Sequence, residues 1–175
     1  MRKIKPDEDS KKSKTTKEKI ENTLTDELII GICTPIGSSY KTIIDIIKDK
    51  LTTAYNYDVQ IIKLSDFILE YCTQEGIHFE EQKGETSAYS NLLFKINNGD
   101  KIRKQYNNNS ILAELVIRKI RQDRQLGLEV SNIEPENFKS RRICYIIDSL
   151  KNLEELKLLR SIYRDIFYLF MRISS

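Results

Sequence analysis

The run Leu28-Ile29-Ile30-Gly31-Ile32-Cys33 has six residues and no polar side chain, and it limits the fold of this chain more than any other stretch. A strand with one wet face alternates apolar with polar residues. One without alternation is covered on both faces, as in parallel sheets flanked by helices. The residues that follow suit such a sheet. Thr34-Pro35-Ile36-Gly37-Ser38-Ser39 is a turn of small and helix-breaking residues, with Ser38 or Ser39 placed to N-cap a helix. Ile43, Ile44, Ile47 and Leu51 then recur on one helical face. A second strand is predicted over 57–64 (YDVQIIKL), and Ser65-Asp66 reads as the cap of the next helix. The chain therefore opens β-α-β.

Further along, helical spacing covers 87–106 and 110–125, with Asn107-Asn108-Asn109-Ser110 as break and cap. The loop 76–86 before them is long and charged, and is expected to be mobile. Residues 142–148 (RICYIID) read as a strand that ends in a carboxylate, 153–163 as an amphipathic helix and 166–173 as a last strand. Alternation of this kind predicts an α/β fold of three layers, with a mainly parallel sheet between helices. Ligands in such sheets bind at the carboxyl ends of the strands, here Thr34 to Thr42 and Asp148-Ser149-Leu150-Lys151.

Residues 1–26 carry few large apolar side chains among many Lys, Glu, Asp, Ser and Thr, too little to offset the entropy of ordering them. They are expected to be a disordered, solvated tail, and 27–175 a single domain. The 29 Lys and Arg against 26 Asp and Glu leave +3, interspersed along the chain, which argues against nucleic acid as partner. No stretch approaches the ~20 apolar residues of a membrane span, so no membrane partner is expected. Cys33, Cys72 and Cys144 are odd in number and far apart, and read as reduced residues of a cytoplasmic protein. With His78 as its single histidine, the chain is expected to hold no zinc site of His and Cys ligands.

The turn after the first strand has the position of a phosphate-binding loop but not its spacing. The standard motif G-x-x-x-x-G-K-[ST] closes backbone N–H groups around phosphates and adds a lysine and a magnesium-binding hydroxyl. Here Thr34 stands where the first glycine belongs, and Lys41-Thr42 comes one residue late, roughly 100° around the helix. Gly37, Ser38 and Ser39 still offer small residues and N–H donors at a helix start, which is what anion binding needs. The phosphate site is therefore expected at Thr34, Gly37, Ser38, Ser39, Lys41 and Thr42, and the alternative is an ordinary βα turn with its N-cap. Asp148, at the end of a buried strand, is the candidate functional acid and magnesium contact. Its alternative is to cap the helix that follows. Lys63, Asp66, Arg103, Arg118 and Lys151 lie near element ends that could face the same crevice, and Arg103 is expected to touch phosphate.

The stretches 27–51, 59–68, 95–120 and 141–174 together resemble the N-terminal P-loop, nucleotide-kinase-like domain of bacterial anti-phage dCTP deaminases. The most specific pieces are Gly99-Asp100-x-Ile102-Arg103 and the run Ile146-Ile147-Asp148-Ser149-Leu150-Lys151-Asn152 continuing to Tyr163. The resemblance implies a P-loop NTPase-like fold and a regulatory nucleotide-binding module beside a zinc deaminase acting on deoxycytidine nucleotides. Such a deaminase needs H-x-E together with P-C-x-x-C, and this chain has no P-C-x-x-C. Expected partners are a nucleotide with Mg²⁺, a deaminase domain or subunit, and further copies of the chain. The other two readings are an active magnesium-dependent nucleotide kinase or NTPase, and a docking or dimerisation scaffold that binds no nucleotide.

Overall fold

In a computed structural model the described residues are 26–35, 41–79, 86–131 and 142–171, with the side chains of 127–131 left aside. Most of the predicted tail, Gly37 with the Ser38 or Ser39 cap, and 80–85 of the charged loop fall outside them. Strand β1 spans Leu28–Cys33, helix α1 Lys41–Tyr55, strand β2 Asp58–Lys63 and helix α2 Leu64–Gln74. Helices α3 (Ser87–Gln105) and α4 (Ile111–Ser131) follow, then β3 (Ile143–Asp148), α5 (Leu153–Tyr163), a 3₁₀ turn over Arg164–Ile166 and β4 (Phe167–Met171). The order is α/β, as the alternation of the sequence requires.

All pairings in the sheet are parallel, in the order β2-β3-β1-β4. The two inner strands are the apolar ones. Every residue of β3 is buried, and β1 runs half-buried or buried throughout. One face carries Ile29, Ile62, Ile143, Tyr145, Ile147 and Phe167, packed against α2, α3, α4 and α5 through Ile68, Ile102, Val116 and Leu159. The other face carries Ile32, Cys144 and Ile146 beneath Ile44 of α1, with Ile47 and Leu51 alongside. The sheet thus lies between helices, four on one side and α1 on the other. Among the described residues no helix is long and apolar enough to cross a membrane.

Two local details follow from packing. Gly31 lies where β1 passes under Leu150 and Phe167; a Cβ there would come within 2.7 Å of Leu150 Cδ1 and 2.9 Å of Phe167 Cζ. Helix α2 starts directly at Leu64 with Lys63 as its N-cap and no side-chain capping bond, so Ser65 and Asp66 fall inside the first turn instead of capping it. Leu64 is 3% exposed, and its burial draws the helix start forward; Asp66 then meets the positive end of the helix.

The connections fix where a ligand can sit. From β1 the chain crosses past β3 to reach β2, and from β3 it crosses past β1 to reach β4. The crossing direction reverses between β1 and β3, so their carboxyl ends border the crevice where open α/β sheets bind ligands.

Candidate functional site

Two hydrogen bonds tie the β1 and β3 ends together. Leu150 N–H donates to Ile32 O at 2.9 Å, and Lys151 Nζ donates to Thr34 O at 2.5 Å. Thr34 is 5% exposed, and its Oγ1 finds no hydrogen-bond partner among the described residues. On the neighbouring strand Asp148, 8% exposed, accepts from Ser149 Oγ at 2.7 Å through Oδ1. Ser149 adopts φ 74°, a left-handed conformation costing on the order of 1–3 kcal/mol for a residue with a Cβ. That turn swings the chain away from the strand line and leaves the Asp148 carboxylate at the crevice.

Asp148 does not cap the helix that follows. Asn152 does, accepting from Glu154 N–H at 2.9 Å, and Glu155 completes a capping box. Glu155 is wholly buried and gathers three donors: Lys151 N–H at 3.3 Å and Asn152 N–H at 3.2 Å on Oε2, and Arg103 Nη2 at 2.7 Å on Oε1. Arg103 also reaches Asp100 at 3.1 Å, and its side chain is 12% exposed. A buried cation beside a buried carboxylate is what desolvation demands. Its consequence is that the arginine expected at phosphate is already engaged, and holds the β3–α5 loop through Glu155.

A cavity of about 510 Å³ opens at this place. Pro35 and Asp148-Ser149 line it from the strand ends, Lys151 from the loop, and Gly99 and Arg103 from α3. Gly99 faces α2 closely: a Cβ would lie 3.1 Å from Ile68 Cδ1 and 3.5 Å from Arg103 Nη1. The volume is that of a small-ligand pocket. The oxygens of Asp148 and Thr34, one carboxylate and one unsatisfied hydroxyl at adjacent strand ends, are the donor type a hard cation such as Mg²⁺ takes.

The residues singled out from the sequence divide into three groups. Thr34, Asp148, Lys151 and Arg103 come together here. Lys41 and Thr42 open α1 and are exposed, while Gly37, Ser38 and Ser39 lie outside the described residues. Lys63, Asp66 and Arg118 line a different groove, between α2 and α4. Glu155 was missed, although Asn152-x-x-Glu155 before an amphipathic helix is a capping signature. What the signature does not reveal is the buried arginine that shares the carboxylate.

Fold and site together define an α/β protein with an all-parallel four-stranded sheet and a mixed polar and apolar cavity at its topological switch point. No family model matches the chain, and no curated protein matches it.

Proposed function

We propose that the chain is a P-loop-like nucleotide-binding module that regulates an anti-phage deoxycytidine-nucleotide deaminase carried by a partner domain or subunit. One observation carries the reading. Gly99-Asp100-Arg103 and Ser149-Lys151-Asn152, from the two stretches that bear the resemblance, line a single cavity at the switch point although they are about fifty residues apart in sequence. The phosphate-binding residues would be those the sequence offers after β1: Thr34, Gly37, Ser38, Ser39, Lys41 and Thr42. Lys151 holds the end of β1 by its bond to Thr34 O, and Arg103 holds Glu155 and through it the loop that carries Lys151. Asp148 and Thr34 would hold Mg²⁺, which screens phosphate charge when bound.

A second reading is supported by Asp148 itself: a buried carboxylate at the end of β3, with a buried hydroxyl that has no partner among the described residues just past the end of β1, suits magnesium-dependent phosphoryl transfer as well as binding. A thermal-shift screen against nucleoside mono-, di- and triphosphates with Mg²⁺ separates the readings. A ligand at 100 times its Kd adds about 2.7 kcal/mol of stability. Stabilisation without turnover supports the regulatory module; turnover lost in Asp148→Asn supports the enzyme; no stabilisation by any nucleotide refutes both.

A further inference from the structure

A second groove, about 750 Å³, lies across α2 from the switch-point cavity, above the β2 edge of the sheet and between α2 and α4. Its apolar lining includes Ile62 of β2, Phe67 and Tyr71 of α2 and Leu115 of α4. Its two helical walls carry opposite charge, and Lys63, at the end of β2, adds one cation beside the acidic wall. On α2, Asp66 and Glu70 are one turn apart, so both project from the same side. On α4 the facing residues are Arg118 and Lys119. All four are exposed, and none makes an ion pair or hydrogen bond among the described residues.

We propose that this groove is a two-fold interface between two copies of the chain. An isologous interface uses one patch on both subunits, so the patch must complement itself. A surface with an acidic wall and a basic wall across an apolar strip has this property: the two-fold axis sets the α2 carboxylates of each copy against the α4 cations of the other. The contact is made twice. A foreign partner would impose no need for both signs on one patch. The strip supplies aromatic and aliphatic area for the buried centre, Phe67, Tyr71 and Leu115, while the charges form the rim that selects orientation. Among the described residues the β2 strand below is a sheet edge paired only with β3, and a second copy over the groove also covers it. Nothing in this interface depends on nucleotide at the switch point.

Sedimentation equilibrium of the full chain tests it with charge-reversed variants. The wild-type chain is expected to dimerise, more weakly as salt rises. Asp66→Lys/Glu70→Lys and Arg118→Glu/Lys119→Glu are each expected to be monomeric, because both walls of each variant then carry one sign. Mixed in equal amounts they are expected to form a 1:1 heterodimer, since every cross-contact is attractive again. Circular dichroism checks that each variant is folded, and the milder Asp66→Asn/Glu70→Gln pair, expected to weaken the dimer and flatten its salt dependence, replaces any that is not. A wild-type chain that stays monomeric to about 200 μM, above the micromolar end of specific interfaces, overturns the proposal. So does a dimer indifferent to both reversals, or a mixture that fails to associate. A monomer that instead binds an amphipathic helix would assign the groove to a foreign partner and also overturn it.

Discussion

Glu155 is the side chain whose removal tests the construction of the site most sharply. It is wholly buried, its Oε1 accepts from Arg103 Nη2 at 2.7 Å, and its Oε2 accepts from the N–H groups of Lys151 and Asn152 at 3.3 and 3.2 Å. Glu155→Ala leaves a guanidinium that is 12% exposed without its buried counter-charge; breaking such a pair costs about 3–5 kcal/mol. Glu155→Ala also removes the reciprocal half of the capping box while Asn152 remains as N-cap, and both effects belong to one carboxylate and do not add. Arg103 keeps its bond to Asp100, which is 60% exposed at the side chain, so the expected loss lies near the lower end, about 3 kcal/mol. Against a domain stability of about 5–15 kcal/mol that is a large fraction. Urea titration followed by far-UV circular dichroism measures it, with an unchanged slope as the control for two-state behaviour. Arg103→Met/Glu155→Leu, which removes both charges, is expected to cost less than the sum of Arg103→Met and Glu155→Leu. A loss below about 1 kcal/mol in Glu155→Ala, where a buried pair should give several, would refute the reasoning.

Gly31→Ala forces a methyl against Leu150 and Phe167, both buried, and is expected to destabilise by about 1–3 kcal/mol in the same titration. Lys151→Met removes the bond to Thr34 O and is expected to diminish nucleotide-induced thermal stabilisation while the unliganded protein stays folded. Burial pushes the Cys144 thiol and the Tyr163 hydroxyl up from 9.0 and 10.0 to about 12. Both are neutral in the fold while the unfolded chain ionises first, so their contribution is full below pH 9 and is lost as pH rises toward 12. Unfolding midpoints measured across that range are expected to fall, and Cys144 is expected to react with a thiol reagent more slowly than half-buried Cys33.

The layout of the fold could be read from local patterns because buried parallel strands are written as continuous apolar runs. Leu28–Cys33 and Ile143–Asp148 are the two inner strands, and both were legible without any partner in view. Strand order is not local, and no residue of β1 announces that β3 and β4 are its neighbours. The start of α2 was misplaced for a related reason: Ser65-Asp66 has cap chemistry, but the burial of Leu64 decides where the helix begins. Asp148 was singled out because a carboxylate ending an apolar strand is conspicuous, and it lines the cavity. Arg103 was expected at phosphate, and its engagement with Glu155 could not be read, since the two are fifty-two residues apart and meet only when α3 packs over the β3–α5 loop. A charge near an element end says that a side chain is available; only packing says what it holds.

The proposed nucleotide site is the crevice between the β1 and β3 ends. A ¹⁵N–¹H titration of the full chain with Mg²⁺-nucleotides tests it residue by residue. The expected result is a saturable shift of the Gly99, Ser149, Leu150 and Lys151 amides, weakened in Asp148→Asn, with the amides of Glu70 and Arg118 unmoved. Shifts confined to the α2–α4 groove, or no saturable shift with any nucleotide, would contradict it.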